Sequence, residues 1–159
     1  MKKTAGFTLI ELVVVIVILG IVAVTAAPRF LNLDDDAHES VLRGTKSAFE
    51  SSLAMIYGKH KLQGEPSTLE INGHTLQFQH RNNRYDYPFA KNKRECVNIW
   101  NTLIDSIEAV RRNAETNELL TKYQRRTRTC TFSYYGEKGE IVYTSGVGKV
   151  EFKLNESHS

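Results

Sequence analysis

Residues 7–27 form an almost unbroken apolar run that contains one carboxylate, Glu11. A helix of this length measures about 31 Å at ~1.5 Å per residue, enough to cross a hydrocarbon core of ~30 Å. An ionisable group inside such a helix costs roughly 2.5–3.5 kcal/mol even on the gentler scales, so it is normally paired or functional. The run therefore predicts one membrane-spanning segment in which Glu11 serves a purpose.

The chain after Ala27 has the polar composition of a water-soluble region. Its 159 residues, of which 41% are hydrophobic, suit one domain with an appendage. Lys2 and Lys3 precede the apolar run and favour a cytoplasmic amino terminus. We therefore expect a single-pass protein of the inner membrane with residues 28 onward outside that membrane.

Two ordinary interpretations of the amino terminus explain Glu11 poorly. A cleavable secretory signal would end in the small residues 25–27, but Pro28 would then follow the cut and hinder it. A simple single-pass anchor explains the length of the run and leaves its carboxylate without a role. A third interpretation starts from the residues around Gly6.

The sequence GFTLIEL, residues 6–12, follows a short basic leader and resembles the processing site of type IV prepilins. In that family a membrane peptidase cuts after the glycine and methylates the new first residue. The resemblance implies a leader of residues 1–6, cleavage between Gly6 and Phe7, and N-methylation of Phe7. It also implies prepilin peptidase, the inner-membrane pilus assembly machinery and other pilin subunits, of the same or another kind, as partners.

Cleavage after Gly6 would give Glu11 a cationic partner. The new α-amine on Phe7 would be largely protonated at neutral pH, and residues four apart share one face of a helix. The resemblance implies a better match between two chains: Glu11 of an incoming subunit meets the Phe7 amine of a subunit already in the filament. That pairing would offset the burial cost and set the axial register.

Gly20 and Pro28 are the helix-weakening residues of the anchor. The resemblance implies that the segment between them can lose helical structure in a filament, and a mild kink without a mechanical role is equally open. From residue 30 to about 61 the apolar residues recur with helical period and predict an amphipathic helix. The expected apolar arc comprises Ala37, Val41, Leu42, Ala48, Phe49, Leu53, Met55 and Ile56.

The rest of the chain predicts a globular head, residues 62–159, after a stalk helix over 28–61. Asn72-Gly73 between two short apolar runs predicts a β-hairpin, and residues 81–94 have loop composition. A second helix is expected over 95–110, because apolar residues recur there with helical spacing. They are Cys96, Ile99, Trp100, Leu103, Ile107 and Val110.

Three strand-like runs, TCTFSYY, EIVYTS and KVEFKL, follow in the C-terminal third, separated by glycine turns at 136–139 and 146–148. They predict an antiparallel meander. The predicted fold class is α+β: a long amino-terminal helix, membrane-spanning in its first half and amphipathic in its second, packed on a small antiparallel sheet.

Cys96 and Cys130 are the two cysteines of the chain. An even count outside the inner membrane favours a disulfide, which would close the loop 96–130, and free buried thiols are the alternative. Many pilins close a C-terminal surface loop with a disulfide, and these positions resemble that arrangement. A redox or metal role is not expected, because the sequence lacks a Cys-x-x-Cys motif.

No catalytic constellation, metal-ligand cluster or cofactor motif is evident, so we expect neither an enzyme nor a bound metal or cofactor. The densest basic patch comprises Arg125, Arg126 and Arg128. It is expected to be a solvated edge, with anionic substrates, extracellular DNA or an acidic face of the next subunit as alternatives. Loss of residues 1–6 removes two lysines and lowers the net charge from +3 to +1, which makes nucleic acid an unlikely partner.

Residues 23–42, AVTAAPRFLNLDDDAHESVL, and YGK at 57–59 are similar to the MSHA (mannose-sensitive haemagglutinin) group of type IV pilins. This resemblance implies an extracellular pilus that mediates surface attachment, biofilm formation and haemagglutination, with a surface or glycan receptor. The resemblance leaves open whether the chain is a major or a minor subunit, and the arginine-rich middle of the chain favours a minor one.

Two rival classes remain. A type II secretion pseudopilin shares the cleavage site, the glutamate and the helix, but works as a periplasmic piston. A membrane-anchored periplasmic binding or enzyme domain could carry the same leader. The cysteine pair and its loop favour the pilus over the pseudopilin, and the missing catalytic set speaks against an enzyme.

Overall fold

The computed structural model describes residues 7–111, 118–134 and 139–154, without the side chains of 27–36 and 38. Its first helix, α1, spans Leu9–Leu62. The chain divides into two compact units, Met1–Ala37 and His38–Ser159, and each is taken by itself below. The α+β class predicted from the sequence is confirmed.

The first unit contains the apolar part of α1. Its window Leu9–Ala26 has a mean hydropathy of 3.0, contains no buried residue as far as the described residues show, and is long and apolar enough to cross a membrane. A signal sequence near an amino terminus satisfies the same criterion. Thr25, a polar interruption, donates its hydroxyl to the carbonyl of Val22 at 3.0 Å, so that its hydroxyl has an acceptor within the helix.

The second unit begins with the remainder of α1, whose buried side chains follow one stripe with spacings of three and four. They are Leu42, Thr45, Phe49, Leu53, Ile56 and His60. The sequence-predicted arc was too wide, because Val41 is 49% exposed, Met55 is 76% exposed, and Ala37 and Ala48 are also exposed. Thr45 and His60 complete the buried stripe, which moves its centre away from Val41 and Met55.

The predicted β-hairpin is confirmed. Strand β1 (Thr68–Ile71) pairs antiparallel with β2 (His74–Gln77). Asn72 and Gly73 form the two-residue turn with φ of 49° and 78°, the positive values that a type I′ turn needs.

The segment predicted to be a loop contains a second, smaller hairpin. Strands β3 (Gln79–His80) and β4 (Asn83–Arg84) pair antiparallel. Arg81 takes a φ of 57° in the turn between them. The prediction of a loop over 81–94 was therefore wrong for 83–84, and also for 93–94, which begin the second helix. Asparagine and arginine do not mark a strand, and only the pairing reveals this one.

Helix α2 spans Lys93–Leu103 and begins at the N-cap Asn92, whose Oδ1 accepts the backbone N–H of Glu95 at 3.0 Å. The expected helix to Val110 was wrong in its last two turns. The Trp100 indole donates to the carbonyl of Ile107 at 2.8 Å, and Asn101 Oδ1 accepts from the backbone N–H of Ala109 at 2.8 Å. These hydrogen bonds hold the chain in a return path, where Ala109–Val110 forms strand β5.

The C-terminal sheet has five strands in the order β5-β6-β7-β8-β9. The strands after β5 are β6 (Leu119–Gln124), β7 (Thr129–Ser133), β8 (Gly139–Thr144) and β9 (Lys149–Leu154). The three predicted strands correspond to β7, β8 and β9, which are antiparallel neighbours, and the turn at 146–148 is also confirmed. Gly136 lies outside the described residues.

Two strands of this sheet were not predicted. Strand β6 pairs antiparallel with β7, whereas β5 pairs parallel with β6 and is the one parallel neighbour in the described part of the sheet. The two-residue β5 is too short to leave a periodic signal in the sequence.

Phe49 joins α1 to both α2 and the sheet. Its ring stacks on Trp100 at 5.0 Å between centroids and meets Tyr143 edge-on at 5.5 Å and Phe132 at 6.2 Å. All four side chains are fully buried. Such aromatic pairs each contribute about 0.5–1.5 kcal/mol beyond the burial of their area.

We predict that Phe49→Ala destabilises the His38–Ser159 unit by about 3–5 kcal/mol, because it leaves a cavity between three rings. Met55→Ala on the same helix is the matched control and should change stability by less than ~0.5 kcal/mol. Denaturant unfolding of the detergent-solubilised chain, followed by the fluorescence of its single tryptophan, measures both. An effect of Phe49→Ala no larger than that of Met55→Ala would show that Phe49 is not central to the core.

Candidate functional site

The first turn of α1 positions Glu11 near the start of the apolar helix. The Thr8 carbonyl accepts the backbone N–H of Glu11 at 3.2 Å and that of Leu12 at 3.3 Å, which starts the helix. The Thr8 hydroxyl donates to Glu11 Oε2 at 3.4 Å, and the carboxylate is exposed. The positive end of the helix dipole favours an acid in the first turn, but this interaction is weak and does not replace a cationic partner.

Phe7 lies two residues before the first residue of α1 and is 74% exposed, whereas Gly6 lies outside the described residues. Phe7 and Glu11 are four residues apart in the sequence, and both are exposed. Their roles in cleavage, methylation and register remain predictions.

The apolar helix presents large side chains to every side. Between Leu9 and Val24 their exposed fractions range from 43% at Val13 to 80% at Leu9. A helix that is apolar all round is stable only when lipid or other protein covers it, because a continuous exposed surface of this kind is unfavourable in water. The segment therefore has the surface of a helix that lipid or other protein covers on all sides.

Gly20 and Pro28 both lie within α1, so neither residue ends the helix. A Cβ added at Gly20 would meet no other atom within 4 Å, so packing within this chain does not require a glycine there. Whether the segment between the two residues stretches in an assembly remains a prediction.

Cys96 and Cys130 form the disulfide that the sequence predicted. Their Cα atoms lie 5.6 Å apart, and both residues are fully buried. The bond joins the first turn of α2 to β7 and closes a loop with a sequence separation of 34. It therefore fixes α2, β5 and β6 to the centre of the sheet.

Several titratable groups of the His38–Ser159 unit take part in hydrogen bonds or ring contacts within it. Lys61 bridges Glu65 at 2.6 Å and Asp86 at 2.7 Å, and these hydrogen bonds raise the pKa of Lys61. Burial raises the pKa of Tyr143, whose hydroxyl donates to the carbonyl of Pro88 at 2.7 Å. His60 stacks on Phe78 with 3.8 Å between centroids, which is the arrangement of a core histidine.

Within the described ranges, no group of three or more His, Cys, Asp or Glu side chains could hold a metal ion. The arginine patch lies in the turn between β6 and β7, and its three members are exposed. The contact of Arg128 with Tyr85, at 3.0 Å from guanidinium Nη1 to hydroxyl, was not expected. The aromatic run YDYPF at 85–89 was the one sign in the sequence that this segment packs against other residues. It has no periodicity that would indicate which residues it contacts.

Residues 1–27 match the family model described as the prokaryotic N-terminal methylation motif. The chain is 45% identical over 53 residues to the type IV narrow pilus major component PilA5 of Thermus thermophilus, a match covering 33% of this chain and 46% of that protein. It is 41% identical over 54 residues to the type II secretion system core protein G of Pseudomonas aeruginosa, covering 34% of this chain and 38% of the other.

A third relative is prepilin peptidase-dependent protein A of Clostridium perfringens, 33% identical over 70 residues, which are 44% of this chain and 50% of that protein. The chain thus spans half or less of the length of each of these curated relatives. No solved structure matches it. The amino-terminal segment carries the methylation motif and is similar to type IV pilins and to a type II secretion core protein.

Removal of the disulfide by Cys96→Ser with Cys130→Ser should lower the free energy of unfolding by about 3–4 kcal/mol, because the unfolded chain regains the entropy of the open loop. Denaturant midpoints of the wild type, with and without reductant, and of the double variant measure the loss. The reduced wild type serves as the control and should unfold close to the double variant. A double variant as stable as the oxidised wild type would contradict a stabilising bond.

Proposed function

We propose that the chain is a prepilin-type structural subunit which is cleaved after Gly6, N-methylated on Phe7, and assembled into a filament through its apolar helix. The observation that carries this proposal is the match of residues 1–27 to the N-terminal methylation motif. The all-round exposure of the helix that follows, Leu9–Ala26, supports it, since assembly would bury that surface. No catalytic role is proposed.

The proposed domain plan follows the same logic. Residues 1–6 are the leader, 7–27 the membrane-spanning and filament-core helix, 28–61 the stalk helix, and 62–159 the head with its disulfide loop. Before assembly the subunit waits in the inner membrane with a cytoplasmic amino terminus, as Lys2 and Lys3 favour. Prepilin peptidase and the pilus assembly machinery are its proposed partners at that stage.

Glu11 supplies the proposed register. A carboxylate among apolar helices is costly to bury unless a cation is close, and the processed Phe7 amine of a neighbouring subunit is such a cation. Because the rest of the helix is apolar, sliding between subunits would meet little resistance elsewhere. One ion pair per subunit would then select one axial position over the others.

We further propose a surface pilus of the MSHA type, which acts in attachment and biofilm formation. Support comes from residues 23–42 and 57–59, whose sequence is similar to that group, and from the disulfide-closed head. The similarity to a pilus major component agrees with a surface filament.

A type II secretion pseudopilin is the second candidate, favoured by the 41% identity to core protein G of a type II secretion system. Location separates the two. Immunogold labelling of intact cells should find the head on surface filaments that shear off, with labelled periplasmic sections as the control. Label confined to the periplasm would replace the pilus by the pseudopilin.

Glu11→Val should leave the protein inserted and processed but reduce the yield of sheared filaments at least about tenfold, because the register-setting ion pair is lost. Glu70→Val, which removes an exposed acid from strand β1 of the head, is the matched control and should assemble normally. Filament protein and membrane protein are quantified separately by immunoblot. Normal filament yield from Glu11→Val would remove the proposed role of the carboxylate.

A further inference from the structure

A basic groove of about 470 Å³ opens on the His38–Ser159 unit, and the proposed function above does not use it. Its walls come from the β3–β4 hairpin, the segment 85–91, and the β6–β7 region. Four cationic side chains contribute to it: Arg81, Lys91, Arg125 and Arg128. Concave sites of roughly 300–1,000 Å³ are the size at which proteins bind small or oligomeric ligands.

The charge of the groove is one-sided. Among the described residues that line it, none carries a carboxylate. Lys91 forms an ion pair at 3.3 Å with Glu95, which does not line the groove. In the described part of the chain, no ion pair is found for the three arginines Arg81, Arg125 and Arg128. Three arginines therefore present guanidinium groups to one concave surface without a carboxylate partner among the described residues.

The aromatic floor of the groove is rigid. Tyr85 and Phe89 stack in parallel at 4.5 Å between centroids with 4° between their planes, and His80 stacks on Phe89 at 5.2 Å. The hydroxyl of Tyr123 and that of Ser145 both donate to the carbonyl of Ala90 at 3.2 Å, which fixes the end of this segment. The floor is thus preorganised before any ligand arrives.

Two of the arginines are also held in a defined position by their backbone. Arg81 and Arg128 have φ of 57° and 56°, in the left-handed region where asparagine and glycine are the usual residues. Arg128 donates from Nη1 to the Tyr85 hydroxyl at 3.0 Å, which orients its planar donor group. Both arginines lie in hairpin turns, so the paired strands on either side fix the positions of their Cα atoms.

We propose that this groove binds an acidic polysaccharide whose sugars carry carboxylates. Guanidinium groups form paired, charge-assisted hydrogen bonds with carboxylates, and several arginines in one concavity suit successive sugars of such a chain. The groove lies wholly within the His38–Ser159 unit, so the inference does not depend on filament assembly.

Nucleic acid fits the groove less well. Single strands are held by aromatic faces that remain free for bases, but Phe89 is only 4% exposed, and Tyr85 is already stacked on Phe89 and contacted by Arg128. Duplex binding relies on many phosphate contacts along an extended basic surface, whereas the whole chain carries a net charge of only +3. The arrangement favours a short acidic oligomer.

The test uses the purified full-length chain in detergent, with fluorescently labelled hexaguluronate as the acidic probe and labelled maltohexaose as the neutral one. Arg125→Gln and Arg81→Asn should each weaken hexaguluronate binding about tenfold or more, as expected for loss of one charge-assisted contact. Asparagine is chosen at position 81 because it tolerates the positive φ there.

Arg126→Gln is the matched control. Arg126 lies in the same turn as Arg125 but does not line the groove, and its replacement removes the same charge. The affinity of the Arg126→Gln variant for hexaguluronate should therefore stay within about twofold of the wild type. Denaturant unfolding of each variant verifies that the head remains folded.

Three results would overturn the proposal. They are failure of the wild type to bind hexaguluronate above maltohexaose, an equal loss from Arg126→Gln and Arg125→Gln, and tighter binding of a 20-base-pair DNA duplex than of hexaguluronate. Since the assay needs no filament, a failed pilus assignment and a failed groove assignment remain distinguishable.

Discussion

The carboxylate of Glu11 lies in the first turn of a helix whose apolar window Leu9–Ala26 is exposed among the residues that the structure describes. A charge in such surroundings needs a cation once lipid or protein replaces water. A cut after Gly6 would supply that cation, because it would leave a free α-amine on Phe7. Processing and assembly are therefore coupled in the proposed function: proteolysis creates the partner that makes the buried acid tolerable.

The head is stabilised by different interactions. Phe49 brings the amphipathic part of α1 against Trp100 of α2 and against two sheet residues, Phe132 and Tyr143. The disulfide between Cys96 and Cys130 then ties α2 to the same sheet. This core lies within the His38–Ser159 unit. In the proposed function the apolar segment serves assembly, and the basic groove on the other unit serves a separate contact.

Local signals were enough to predict several features. The long helix, the Asn72-Gly73 turn, three strands of the sheet and the cysteine pair all depend on short patterns or on residue type. Errors arose where tertiary contacts decide. The hydrogen bonds of Trp100 and Asn101 hold the chain in a return path that ends α2 early, and they connect residues eight or fewer positions apart through side chains. His60 joins the buried stripe of α1 only because Phe78 supplies a stacking partner.

The groove illustrates a different reason for failure. Arg81 and Arg128 lie on separate hairpins, and Tyr85, which contacts Arg128, is 43 residues from it along the chain. No pattern in a single sequence brings such residues together, although the arginine patch and the aromatic run were each visible alone. By contrast, Gly6, Phe7 and Glu11 fall within one short motif, so their proposed roles could be derived without a structure.

The most direct test of the paired-charge hypothesis is the intact mass and amino-terminal sequence of the protein isolated from its native cells. We expect a chain that begins at Phe7, carries one methyl group on its amine, and keeps Cys96 and Cys130 oxidised. A mature protein that begins at Met1 would leave Glu11 without the new amine, and one that begins at Pro28 would have lost the apolar helix entirely. Either result would contradict assembly through a processed amino terminus.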